Sequence, residues 1–193
     1  MTKPGIALPA FAFALACGTS GGAGSMSASS DAGGPDSGAG PGSDDGSGGV
    51  GLCDDPGLQW HTANKTTYES YPDPGSEECV VYHGCDYLGQ FAACENTMSE
   101  AWVSGHDIVA VFPLGDLALH RLCLRAGDHT RVVTVIDTCA DADCDGCCSE
   151  NRGDAEALID VESYTDMRFG VADGPIEWAD LGPGSPSFDG CNG

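Results

Sequence analysis

Apart from one run near the start, the apolar positions of this chain fall into short stretches bounded by turn residues, and they lie after Cys53. Four stretches have strand length, at residues 107–112, 117–125, 131–139 and 176–178. In the third, Val132, Val133, Val135 and Ile136 put apolar groups on both faces. A strand of that kind is covered on two sides, as in a small barrel. Gly127-Asp128 separates two of the stretches and reads as a hairpin turn. Two apolar runs end in an aspartate: Val132 to Ile136 at Asp137, and Ala157-Leu158-Ile159 at Asp160. Residues 98–103 and 161–169 read as short helices, the second beginning beside Asp160, whose carboxylate is placed to cap its free amides. No internal repeat is visible, and about 130 residues suffice for one domain.

The front of the chain has a different character. Residues 1–17 carry one lysine, Lys3, then an apolar stretch from Ile6 to Ala16 that ends in small residues and is too short to span a bilayer. This is the pattern of an export signal. Ala14-Leu15-Ala16-Cys17 resembles the cleavage box of bacterial lipoproteins, which implies an acylated Cys17 as the lipid-anchored first residue; ordinary cleavage after Ala16 is the alternative. Residues 18–52 are dominated by Gly, Ser, Ala, Asp and Pro and offer little apolar surface to offset ordering entropy, so they read as a disordered tether. The folded domain is expected over 53–193. The chain is expected at the outer membrane or cell surface, or otherwise secreted.

Setting Cys17 aside leaves Cys53, Cys79, Cys85, Cys94, Cys123, Cys139, Cys144, Cys147, Cys148 and Cys191. An even number in an exported chain reads as disulfides, with roughly nine hundred possible connectivities. The loop from Asp141 begins like a calcium loop, Asp-x-Asp-x-Asp-Gly, but its twelfth position is Arg152 where a bidentate glutamate is needed. Cys139, Cys144, Cys147 and Cys148 could supply zinc thiolates, yet export favours disulfides. No metal or cofactor is expected.

From residue 56 onward there are 24 acidic and 6 basic side chains, a net charge of −18, within −23 for the whole chain. Nucleic acid, anionic lipid and acidic polymers are poor partners for such a surface, and a neutral partner fits better. A monomer is expected, touching a membrane only through its anchor.

Four short pieces then occur in order: Thr66-Thr67-Tyr68, Val135-Ile136-Asp137-Thr138-Cys139, Leu158-Ile159-Asp160-Val161 and Gly174-Pro175-Ile176-Glu177-Trp178. Together they resemble the signature of the double-psi β-barrel of expansins, barwin-like proteins, rare lipoprotein A and family 45 endoglucanases, over roughly residues 62–181. The resemblance implies an all-β, six-stranded double-psi barrel with short helices. It implies that Asp160 is the essential acid, that Asp137 is its neighbour at the adjacent strand end, and that Thr66 and Tyr68 line the same groove. Two like charges held close would raise one pKa and keep a proton available. The alternative from the residues alone is that Asp160 only caps a helix and Asp137 is a turn residue held by backbone amides.

Inverting hydrolysis needs a second carboxylate about 6.5–9.5 Å from the acid. Here the chain departs from the endoglucanase pattern, since Ser70 stands where those enzymes have their base, with Glu69 expected on the opposite face of the strand. The histidine of rare lipoprotein A is also missing, because the chain reads Ala110-Val111-Phe112. Rings for stacking on sugars are available, and Tyr68, Tyr71 and Tyr87 are the expected platforms, with Trp102 and Trp178 expected in the core. The expected function is binding, and loosening without hydrolysis, of neutral cell-wall polysaccharide (cellulose-like, chitin-like or peptidoglycan glycan). A glycoside hydrolase or lytic peptidoglycan-cleaving enzyme, with Asp160 as general acid and Glu69 or Asp137 as base, is the alternative. A surface adhesion or defence module using the barrel as scaffold is a third class.

Overall fold

The computed structural model describes residues 50–185 and 188–191. Cys17 and the signal and tether segments up to residue 49 lie outside the described residues. The elements in chain order are α1 (Val50–Cys53), β1 (His61–Tyr68), α2 (Glu77–Val80), α3 (Glu100–Gly105), β2 (Ile108–Phe112), β3 (His120–Ala126), β4 (His129–Thr138), α4 (Cys147–Arg152), β5 (Ala157–Glu162), α5 (Ser163–Phe169) and β6 (Gly174–Pro183). The first helix takes in residues 50–52, which the composition assigns to the tether.

The six strands close into a barrel in the order β1-β5-β2-β4-β3-β6. Two pairs are parallel, β1 with β5 and β2 with β4, and the rest are antiparallel. This is the six-stranded double-psi architecture that the resemblance implies. Closure leaves no open sheet edge, so the apolar strands are lined up to fill one interior. Val109, Val111, Leu122, Leu124, Val133, Val135, Ile159 and Val161 fill it, closed by Phe169 and Trp178. The Gly127-Asp128 turn forms as expected: Ala126 pairs with His129, and Gly127 takes φ 56°, a left-handed value that glycine adopts without strain.

The helix expected over 98–103 forms at Glu100–Gly105 and the strand expected over 117–125 at His120–Ala126, and two further boundaries move for physical reasons. The final strand is ten residues long rather than three, because Gly174-Pro175 and Gly182-Pro183, which read as turn signals, sit at its ends inside the ladder. The helix read over 161–169 begins at Ser163, with Val161 and Glu162 still in β5. Its cap is Glu162, whose carboxylate accepts from the Tyr164 amide at 2.7 Å. Asp160 is therefore not the cap, which corrects that expectation.

β1 was the least visible strand, since its sequence His-Thr-Ala-Asn-Lys-Thr-Thr-Tyr lacks an apolar stripe. Its inward position after Ala63 is Lys65, only 1% exposed. The buried ammonium is compensated by three oxygens: Asp173 Oδ1 at 2.6 Å, Asp166 Oδ1 at 2.6 Å and Thr67 Oγ1 at 3.0 Å. A buried charge is tolerable only with such pairing.

All ten cysteines after Cys17 pair: Cys53–Cys123, Cys79–Cys85, Cys94–Cys191, Cys139–Cys148 and Cys144–Cys147. The sulfurs of the Cys-rich loop are thus bonded to one another. In the same loop both Asp141 carboxylate oxygens accept from Ser149, its amide at 2.8 Å and its hydroxyl at 2.5 Å. No helix among the described residues is long and apolar enough to cross a membrane.

Candidate functional site

Strand register brings the signature residues into one row across the barrel wall. Thr66 on β1 pairs with Asp160 on β5, Asp160 pairs with Ala110 on β2, and Ala110 pairs with Asp137 on β4. A register shift at Val109/Ala110 sets this last pairing. Two inter-strand spacings separate the aspartates, roughly 9.5 Å between their Cα atoms. Thr66, Tyr68, Asp137 and Asp160 all line one groove of about 730 Å³.

Asp160 is half-buried on the groove floor and accepts from the Thr66 hydroxyl at 2.9 Å. Burial pushes its carboxyl from the ordinary 3.8 up to about 7; the Thr66 hydrogen bond opposes this, Glu78 and Asp173 add to it, and the Lys65 ammonium opposes it. Asp160 therefore keeps its proton close to neutral pH. Asp137 is not among the main charges acting on it, so the expected mechanism, mutual repulsion of adjacent carboxylates, is replaced by desolvation. The intervening strand β2 keeps the two carboxylates from sitting side by side.

Asp137 is held differently. Its Oδ1 accepts from the amides of Ala92 at 3.0 Å and Thr138 at 2.9 Å. Burial still raises its pKa, opposed by these two amides and reinforced by Asp143. Its bonding is that of the backbone-held turn aspartate.

Tyr68 stands near both. Burial raises its phenol pKa well above 10, the charges of Asp137, Asp160 and Glu162 raise it further, and the Ser70 hydroxyl beside it lowers it. Neither the Tyr68 nor the Ser70 hydroxyl meets a partner of hydrogen-bonding geometry in the chain. Glu162 is fully buried and pushed up by burial; sequence reading missed it, since it shares the face of Asp160 and is covered there by neighbouring chain that local pattern does not reveal.

The other sequence candidates divide. Tyr87 is 63% exposed on the groove wall, and Glu69 lines the groove as well. The strand ends at Tyr68, so alternation does not carry Glu69 to the far face; Glu69 and Ser70 both line the groove. Tyr71 does not line it: it packs with Phe91, Met98 and Trp102 and its hydroxyl donates to the Met98 carbonyl. Its place as a platform is taken by Tyr82, 43% exposed on the groove wall, which the sequence gave no reason to prefer. Of seven exposed large apolar side chains among the described residues, Val80, Val81, Tyr82, Tyr87 and Leu88 belong to one short segment fastened by Cys79–Cys85. Trp178 closes the barrel core and Trp102 stacks on His106 at 3.9 Å.

Comparisons with solved structures find several of similar build, two of them as follows. The apo expansin of Clavibacter michiganensis is 15% identical with a TM-score of 0.37, over 66% of this chain and 52% of that one. A Streptomyces papain inhibitor is 19% identical with a TM-score of 0.35, over 64% of this chain and 94% of that one. The chain thus spans about half the length of the expansin chain. No family model matches the sequence, and no curated protein matches it. The double-psi assignment rests on the strand order and register of this chain.

Proposed function

We propose that this protein is an exported cell-wall polysaccharide-binding protein that holds glycan in the Asp160 groove and loosens it without hydrolysis, as expansins do. The observation carrying this reading is the unequal state of the two aspartates. Asp160 holds a donatable proton, oriented by Thr66 and set among rings able to stack on sugar faces, while Asp137 is tied to two amides. A protonated carboxyl of this kind competes for a glycan's own interchain hydrogen bonds. Five disulfides support an oxidising, extracellular setting. Residues 1–17 as signal, Cys17 as lipid anchor and the tether ahead of the barrel belong to the same proposal.

The test is retention on amorphous cellulose, xyloglucan and chitin, with reducing sugar measured in the supernatant. Retention that falls in Asp160→Asn and Tyr87→Ala, with no sugar released, is expected. A second reading, hydrolysis with Glu69 as base, is favoured by the presence of Glu69 on the groove wall. Sugar release that disappears in both Asp160→Asn and Glu69→Gln would establish it instead.

A further inference from the structure

Six carboxyl groups line the groove, from Glu69, Glu78, Asp137, Asp143, Asp160 and Asp173, and no lysine or arginine does. Lys65 lies beneath the floor with its ammonium wholly covered, so it offsets part of the Asp166 and Asp173 charge without offering a cation to a ligand. A neutral sugar gains nothing from such a field, whereas a cationic one does. Two further features indicate that the occupant is a sugar. Ser70 is only 7% exposed, lines the groove and has an unsatisfied hydroxyl next to the equally unsatisfied Tyr68 hydroxyl. Buried hydroxyls without partners are rare, and ligand hydroxyls would supply them. Tyr82 and Tyr87 present exposed rings on the wall, which accept both the C–H face of a sugar and a cation.

The carboxylates are spread along the groove. Among the described residues no three carboxylate oxygens converge within the 4.8 Å that would mark a metal site; the one such group is formed by cysteine sulfurs already in disulfides. Charges distributed in this way match a ligand whose own charges are distributed. Resting on the glycan reading above, we propose that the groove prefers a polysaccharide carrying ammonium groups, a partly N-deacetylated amino-sugar polymer, over the neutral glycan of the same linkage.

The test is calorimetric titration of the exported chain with a hexamer of β-1,4-glucosamine and with its fully N-acetylated counterpart, at about pH 6. At about 20 mM salt the glucosamine hexamer should bind about tenfold tighter, as two or three exposed ion pairs allow, and at about 500 mM the two affinities should converge within about twofold. The Glu78→Gln/Asp143→Asn double variant should reduce the low-salt ratio at least about threefold by the same reasoning. Equal affinities at low salt, or a ratio that neither salt nor the double variant moves, overturn the preference while leaving glycan binding intact. Spermine binding as tightly as the glucosamine hexamer would reduce it to unspecific charge attraction. Failure of both hexamers and of every insoluble glycan would instead remove the reading on which the preference rests.

Discussion

The two flanks of the groove begin from nearly the same sequence, Val-Ile-Asp at Asp137 and Leu-Ile-Asp at Asp160, and end in different chemistry. On the β5 flank the carboxyl meets a threonine hydroxyl from the neighbouring strand; on the β4 flank it meets two peptide N–H groups, one brought from the rim segment at Ala92. A strand-end aspartate thus acquires its role from what distant chain delivers to it. Burial leaves the Asp160 carboxyl a proton to donate against the pull of its single threonine partner, whereas the two amides tie Asp137 into the rim.

The largest effect should come from detaching the segment that serves the β4 flank. Ala93 donates to the Ile136 carbonyl at 2.9 Å, Glu95 to that of Cys191 at 3.0 Å, and Cys94–Cys191 fastens the whole. Replacing both cysteines by alanine should cost roughly 2–5 kcal/mol in denaturant unfolding. Amide exchange at Ala92 and Thr138 should accelerate more than exchange at Thr66. Equal acceleration at both flanks would show that they are not separately supported.

Next in size is Lys65→Met, which leaves Asp166 and Asp173 without their cation beneath the β5 flank. A loss of about 3 kcal/mol is expected, the range for breaking a buried pair, tempered here by the partial exposure of both carboxylates. The Asp160 pKa should rise further, because Lys65 is one of the groups holding it down. An unchanged melting temperature would mean that the ion pairs contribute nothing net.

Direct truncation of the aspartates separates the flanks most cleanly. Asp137→Ala strands two amides and should cost about 1–3 kcal/mol. Asp160→Ala strands only a threonine hydroxyl that can turn to solvent, and its cost should be smaller. The reverse order would contradict the assigned bonding.

The smallest effect has a distinctive pH dependence. Folding raises the Asp160 pKa from 3.8 to about 7, so the native state holds a proton that the unfolded chain releases. Stability linked to this group is present below about pH 4, is lost as pH rises toward 7, and is constant above. Asp160→Asn removes the penalty. The variant should match the parent near pH 3.5 and exceed it at pH 8, by on the order of 1–2 kcal/mol once solvent access is discounted. Equal stability at both pH values would show that Asp160 titrates normally.

Much of the barrel was legible because β2 and β4 carry β-branched runs and β3 carries Leu122 and Leu124, whose burial follows from composition alone. β1 was not, since its inward Lys65 is neutralised by Asp166 and Asp173 a hundred residues away, and local pattern cannot register a partner at that distance. The ordered signature located Thr66, Tyr68, Asp137 and Asp160 on one groove, because those residues sit on strands whose register fixes them. Tyr71 and Tyr82 were exchanged, because the fold of the rim loops depends on the Cys79–Cys85 and Cys94–Cys191 links, which spacing does not specify. The helix cap moved from Asp160 to Glu162 for a related reason: pairing of β5 with β1 extends the strand two residues past Asp160.

The groove's claim to the ligand can be tested by following backbone amide shifts of the isotope-labelled protein as a soluble β-1,4-linked hexasaccharide is added. Shifts concentrated at 66–70, 82–92, 137–140 and 160 are predicted. Shifts confined to the cleft around Asn64, Gly127, Asp154 and Pro175, with residues 66–70 and 160 unmoved, would contradict it.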